Sequence, residues 1–330
     1  KDYFAGAGMA GLLAVIGEEA IGKDENLVLE DNKVVDSPLL GEMVSSFRDH
    51  YRGYGDIVLQ ANYDDERLGV LEYAIRELGV KTVELKFGQA AKGIQAMATI
   101  DNIEDALKYQ SRGYLIYPNP EDPDVAENFA QGVGPLFKKL GKLPMWEEEE
   151  LINRVAKLRE LGAERVCFKF GPYDPRDIIK VLKIASKAGV DLVTFDSAGG
   201  GTGDSPTKMM NEWGSPTIYM ESMVYKSLKA LKEKDYSLPQ VAIAGGFVME
   251  DQIFKGLALG APFINLVAIG RAAMAAAMVG KQVGDLIKEG KVPKEYQRFG
   301  STIEEIYKDI RELKEFYGDK ATEISPGAIG

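Results

Sequence analysis

Short apolar runs recur along the chain, each bounded by Gly, Asp or Pro. Eight of them predict strands: Asp2–Ala5, Asn26–Glu30, Asp56–Gln60, Thr82–Phe87, Arg165–Phe170, Asp191–Asp196, Val241–Ala244 and Phe263–Val267. Most are rich in β-branched or aromatic residues, as strands are. Between them lie runs with apolar residues at helical spacing. LGVLEYAIRELGV covers Leu68–Val80, and EEELINRVAKLRELGA ends at Gly162, a predicted C-cap. DPRDIIKVLKIASKAGV carries Pro175 at its start, where a missing N–H costs a helix nothing. MEDQIFKGLALGA follows the seventh strand. Strand, helix, Gly, strand is the βα unit. Repeated to a count near eight, it predicts an α/β fold of the closed TIM (β/α)8 barrel type rather than an open sheet.

The rhythm breaks after Gly88. The barrel is expected over residues 1–300, with 93–146 as an insertion after the fourth strand and 301–330 as a C-terminal helix and tail. Pro and acidic residues cluster in the insertion, which suits either a cover over the site or a plain surface excursion. STIEEIYKDIRELKEFY, Ser301–Tyr317, predicts one amphipathic helix with a Ser301–Glu304 capping box. It would pack on the barrel exterior or form an oligomer contact, and a homo-oligomer is expected.

Composition narrows the classes. The chain has 330 residues, 45% of them hydrophobic, and 36 glycines, which suits a packed enzyme-like fold with tight loops. A net charge of -11 with no basic stripe argues against nucleic-acid binding. One cysteine, Cys167, allows neither a disulfide framework nor a thiolate cluster, and a reducing, cytoplasmic setting is expected. No metal site is expected. No apolar run reaches membrane-spanning length. The opening KDYFAGAG has no signal-peptide apolar run and no initiating Met, so a processed or partial chain is expected.

The candidate chemistry sits at the ends of the late strands. Gly199–Gly203 reads GGGTG and supplies backbone N–H groups without side chains. Gly245 and Gly246 follow the seventh strand, and Gly270 and Arg271 follow the eighth. Together they match the phosphate cradle expected after the last two strands of a barrel, with Arg271 as a forked donor. A turn role for the glycines and a surface role for Arg271 are the plainer alternatives. No G-x-G-x-x-G fingerprint follows an early strand. Lys86 and Lys169 alternate with apolar neighbours inside strands, and a buried ammonium needs an anion nearby. That anion is a ligand or a structural carboxylate. Glu30 and Gln60 end the second and third strands on the expected active rim. Glu30 is read as an acid or as a lysine partner. Asp196 closes the sixth strand. His50 lies away from any strand end, and Cys167 reads as core packing.

ELKFGQAAKG (Glu84–Gly93), CFKFG around Lys169, SAGGGTGDSP, AIAGGF and LGAPFINLVAIGRA occur in an order that resembles the FMN-binding synthase domain of glutamate synthase and its single-domain relatives. The resemblance implies FMN on the C-terminal face of the barrel. It implies Lys169 near the N1 and C2 carbonyl edge, and Gly200, Gly201 and Thr202 in contact with the cofactor. Gly245, Gly246, Gly270 and Arg271 would hold its phosphate, with Gln60 and Asp196 also on the cofactor side. Lys86, Gln89 and Lys92 resemble the part facing 2-oxoglutarate, and Lys86, Lys169 and Glu30 are the candidate catalytic residues. Three departures stand out. The family's iron–sulfur cysteines are absent, so no such cluster is expected. An acidic residue of the family's Asp-Gly-Gly-Thr-Gly is Gly199 here. The glycine-rich substrate loop reads GQAAKGIQAM. The resemblance implies an FMN-dependent oxidoreductase acting on a small keto or amino carboxylate such as 2-oxoglutarate or glutamate, with an external electron donor or partner subunit. The alternatives are a non-flavin barrel enzyme acting on a phosphorylated metabolite and a noncatalytic FMN-binding subunit of a larger complex.

Overall fold

A computed structural model describes residues 1–88, 97–134, 136–142, 146–171, 174–201, 208, 212, 214–307 and 310–329. Its strands are β1 (Leu13–Ile16), β2 (Val28–Glu30), β3 (Lys33–Asp36), β4 (Asp56–Ala61), β5 (Thr82–Lys86) and β6 (Met97–Ile100). They continue with β7 (Leu115–Tyr117), β8 (Phe137–Leu140), β9 (Arg165–Phe170), β10 (Leu192–Asp196), β11 (Gln240–Ala244) and β12 (Leu266–Ala268). The chain divides into two compact units: residues 1–15, 39–57 and 270–330, and residues 16–38 and 58–269. The division cuts β1 and β4.

The main sheet runs β1-β4-β5-β9-β10-β11-β12. From β4 to β12 its pairings are parallel. This is an α/β fold, but the closed eight-stranded barrel is corrected: among the described residues the sheet has seven strands in an open order. Two of the predicted strands lie elsewhere. Asp2–Ala5 opens the helix Asp2–Ala10, because a short apolar run does not by itself separate strand from helix. Asn26–Glu30 supplies β2 of a separate antiparallel hairpin with β3. Asp31 and Asn32 both take positive φ, 48° and 56°, as the tight turn of such a hairpin demands. The sheet's first strand is instead β1, an edge strand whose residues alternate exposed and buried.

In the larger unit, β4, β5 and β9 to β12 carry side chains to two faces at a period of two. One face is apolar. Val83, Leu85, Val166, Phe168, Val193 and Phe195 are all buried there. Phe87 stacks on Phe170 with ring centroids 4.5 Å apart, and Phe168 meets Phe87 edge-on at 5.3 Å. The helix Glu148–Leu161 packs beside β9, and the helix Thr217–Lys232 beside β11. Gly162 caps the first in the left-handed conformation, and Asp174 and Pro175 open the helix Pro175–Ala188. The other face of the sheet carries the polar residues described below.

The segment between β5 and β9 holds its own antiparallel sheet, ordered β6-β8-β7, with the helices Ile103–Ser111 and Pro123–Ala130. It follows the third strand of the main sheet in chain order, not the fourth, because Asn26–Glu30 is not a member of that sheet.

In the smaller unit, Ala5, Met9, Leu313, Ala321, Ile324 and Ala328 form one buried cluster, with Tyr317 packed on it. The expected single helix Ser301–Tyr317 is two pieces, Ile303–Ile306 and Ile310–Tyr317. The capping box sits one residue later than Ser301–Glu304. Glu305 N–H donates to Thr302 Oγ1 at 3.3 Å, and Thr302 N–H donates to the Glu305 carboxylate at 3.2 Å. His50 follows the helix Pro38–Arg48, with Nδ1 2.9 Å from the Ser46 carbonyl. No helix among the described residues is long and apolar enough to cross a membrane.

Candidate functional site

Parallel register gathers charge on the second face of the sheet. Gln60 lies beside Glu84, and Glu84 beside Cys167. Two residues further up, Lys86 lies beside Lys169, and Lys169 beside Thr194. Asp196 lies two residues up from Thr194 on β10, on the same face. The C-terminal ends of β4, β5, β9 and β10 therefore present two lysines, two carboxylates, an amide and a hydroxyl on one face.

Each is held by a neighbour. Gln60 Nε2 donates to Glu84 Oε1 at 2.6 Å, and Thr194 Oγ1 donates to Glu84 Oε2 at 3.5 Å. Lys169 Nζ lies 3.2 Å from Asp196 Oδ2. Lys86 Nζ donates to Glu18 Oε1 at 2.6 Å. Gln60 also accepts the Glu18 N–H at 3.4 Å, so both ends of its amide are used. Glu84 is only 3% exposed. Burial pushes its carboxyl up, and Lys169, Gln60 and Lys86 pull it back only in part. For Lys169, burial opposes the charge, but Asp196 and Glu84 outweigh it and hold the ammonium above its ordinary value. Asp196 Oδ1 is buried and has no hydrogen-bond partner among the described residues.

The glycine-rich ends of β10 and β11 lie together. A Cβ on Gly199 would come within 2.8 Å of the Gly245 carbonyl carbon and oxygen. Gly245 has φ 119°, and a Cβ there would meet Ser197 Oγ at 1.9 Å. Thr217 Oγ1 donates to the Gly245 carbonyl at 2.6 Å. Part of the glycine signal is therefore close backbone packing. Gly200 opens toward Gly201 in a short 3-10 turn, Ala198–Gly200, and Gly246 is exposed.

The other expected site residues fall differently. Glu30 is exposed at the end of β2 and pairs in register with Lys33, so its expected place on the rim of the main sheet is corrected. Lys86 takes Glu18 as its partner instead. Gly270 and Arg271 belong to the smaller unit, where Arg271 begins the helix Arg271–Lys288. Gln89, Lys92 and Thr202 lie outside the described residues. Cys167 is buried, and burial pushes its thiol up, as expected for core packing. Sequence reasoning missed Glu18. Its signal was available: GEE directly follows the apolar run LAVI.

With this geometry in place, the chain can be set beside known proteins. The class is an α/β protein with a parallel sheet and a charged face at its C-terminal strand ends. Residues 142–282 match the family described as a conserved region in glutamate synthase. A glutamate synthase large subunit-like protein of Rhizobium meliloti (strain 1021) is 32% identical over 120 residues, which is 36% of this chain and 24% of that protein. Over this segment the chain is similar to glutamate synthase. Among solved structures, a FabK mutant from Thermotoga maritima is similar at 14% identity, over 81% of this chain and 56% of that one, with a TM-score of 0.40. A sulfite-bound flavocytochrome b2 is similar at 15%, over 98% and 63%, with a TM-score of 0.45. Lys169, Asp196, Gly200, Gly201, Gly245, Gly246, Gly270 and Arg271 all lie inside the family match, whereas Gln60, Lys86, Gln89 and Lys92 lie outside it.

Proposed function

We propose that the chain is an FMN-dependent, glutamate synthase-like oxidoreductase acting on a small keto or amino carboxylate such as 2-oxoglutarate or glutamate. The observation that carries this reading is the Lys169–Asp196 pair. It sits at the C-terminal edge of a parallel sheet, inside the glutamate synthase match, with one Asp196 oxygen unpartnered among the described residues. The residues fit a flavin. Lys169 brings a positive charge suited to the anionic edge of a reduced ring, and Gly200 and Gly201 bring backbone without side chains. Gly245, Gly246, Gly270 and Arg271 are the proposed phosphate ligands, Gly270 and Arg271 on sequence pattern and family match alone. Thr202 is proposed as a further contact.

FMN, when bound, supplies two-electron hydride chemistry. The chain's own groups bind and orient. Glu84 and Asp196 keep Lys169 charged within a buried setting. Gln60 fixes Glu84 and the Glu18 backbone. Lys86 is proposed to meet the carboxylate of the substrate, with Gln89 and Lys92 beside it in sequence. An external donor is proposed to supply electrons.

The substrate part rests on the residues outside the family match and the cofactor part on those inside it, so the two are tested separately. Anaerobic reduction of the FMN-loaded chain followed by addition of 2-oxoglutarate with ammonia should reoxidise the flavin. Failure of every keto carboxylate with ammonia to accelerate reoxidation, and of every amino carboxylate to reduce the oxidised flavin, would remove the enzymatic reading and leave an FMN binder.

A further inference from the structure

The two adjacent residues Glu18 and Glu19 face different parts of the larger unit. Glu18 holds Lys86 at the candidate site. Glu19 forms an ion pair with Lys139, on β8 of the inserted sheet. The turn between them is unusual for a side-chain-bearing residue, because Glu19 has φ 59° and ψ 16°, the left-handed conformation. Such a backbone persists only where its surroundings hold it. Here they do. Glu19 N–H donates to Asp65 Oδ2 at 2.9 Å, and Asn62 Nδ2 donates to Glu19 Oε1 at 3.0 Å. Asp65 is 1% exposed and Lys139 is 6% exposed. The Lys139 ammonium also lies over the Tyr114 ring, 4.5 Å from its centroid. The Glu18 N–H is taken by Gln60. With both N–H groups and the Glu19 carboxylate fixed, the Glu18 carboxylate is directed at Lys86.

We infer that Lys139 is a positioning residue for Lys86: by locking Glu19 it fixes the turn that presents the Glu18 carboxylate to the site lysine. The inserted sheet thereby sets the charge environment of the site from outside the main sheet. The inference rests on the reading that places Lys86 in the site, and it needs no bound cofactor to be tested.

The test is acylation of the full-length, cofactor-free chain with a small amine reagent at fixed pH. The rate at Lys86 is measured by mass spectrometry against the rate at Lys169, which keeps its own partner Asp196. Glu18→Gln, the positive control, and Lys139→Met should each raise the Lys86 to Lys169 ratio roughly tenfold, the effect of losing one charge-assisted hydrogen bond. Lys139→Arg should restore it. If Lys139→Met loses its native near-UV circular dichroism, Glu19→Gln, which keeps side-chain size, is used in its place. A merely structural Lys139 would lower the melting temperature without moving the ratio, and an unchanged ratio overturns the inference. An FMN titration of the unaltered chain is run alongside. Its failure would remove the flavin reading and leave the labelling result standing.

Discussion

Lys86 and Lys169 are register partners across β5 and β9, yet each ammonium is assigned to a different carboxylate, Glu18 and Asp196. Two like charges side by side on one sheet face are unfavourable unless each has its own counterion. Glu84, on the same face, adds a third carboxylate that both lysines feel. The site is therefore near charge balance without a ligand, and any anion that enters must compete with Glu18 or Asp196.

Removing one partner should expose that balance. Lys169→Met leaves Asp196 and Glu84 buried without their main cation. Such a loss costs about 3–5 kcal/mol where a buried pair is broken. Urea unfolding should show the loss, and Lys169→Met with Asp196→Asn together should recover part of it. A double variant as unstable as the sum of the singles would mean that the pair is not coupled.

A separate carboxyl gives the pH dependence. Glu221, on the helix Thr217–Lys232, is 3% exposed, and burial pushes its carboxyl up to about 7. The folded state therefore holds its proton more tightly than the unfolded chain, whose carboxyl titrates near 4.5. Stability contributed by this group falls as pH rises through the window from 4.5 to about 7 and stays low above it. Glu221→Gln should flatten this part of the urea midpoint against pH, and should be more stable than the unaltered chain at alkaline pH. An identical pH slope in the two proteins would contradict the placement.

Arg154 ties the helix Glu148–Leu161 to the helices Tyr63–Leu68 and Val70–Arg76. Its Nε and Nη2 reach Glu66 at 2.7 and 2.9 Å, and its Nη1 reaches Glu72 at 2.7 Å. Arg154→Ala should cost about 3 kcal/mol, because it strands two half-buried carboxylates. Arg154→Lys should recover only part of this, since an ammonium cannot fork. Equal stability of the Lys variant and the unaltered chain would show that charge alone matters.

The glycine contact between β10 and β11 is open to a single methyl. Gly199→Ala would push a Cβ into the Gly245 backbone, which no side-chain rotation relieves. It should cost about 1–3 kcal/mol, the range for overpacking. It should also weaken FMN binding, if this edge is the cofactor's seat. A stable Gly199→Ala protein would mean that the two loops part easily.

How much of this was legible beforehand follows from the type of signal. β9 was read residue for residue, and the ends of β10 and β11 to within a residue, because a β-branched or aromatic run bounded by turn residues is unambiguous. The opening segment was misread because the four residues Asp2–Ala5 are too few for periodicity to separate helix from strand. The hairpin was missed because NLVLE was read as a barrel strand by itself, although the Asp-Asn that follows it is a turn signal and KVV beyond it supplies an antiparallel partner. That error carried Glu30 to the wrong place. Losing β1 hid Glu18, the residue that holds Lys86. Lys86 and Lys169 were singled out because a lysine inside a strand pattern demands a partner, and Gln60 because it ends a strand. Which partners they have depends on register between strands far apart in sequence, and a single chain does not encode that locally.

Arg271 carries the phosphate proposal on the sequence side. Arg271→Ala should weaken FMN affinity at least tenfold, about 1.4 kcal/mol, with little change in unfolding midpoint. Unchanged affinity would remove it from the cofactor.

The most direct measurement is a titration of the purified, desalted chain with FMN, followed by flavin absorbance and fluorescence. The account predicts saturable one-to-one binding with a perturbed flavin spectrum, weakened in Lys169→Met. A natively folded chain that leaves the spectrum of added FMN unchanged would contradict it.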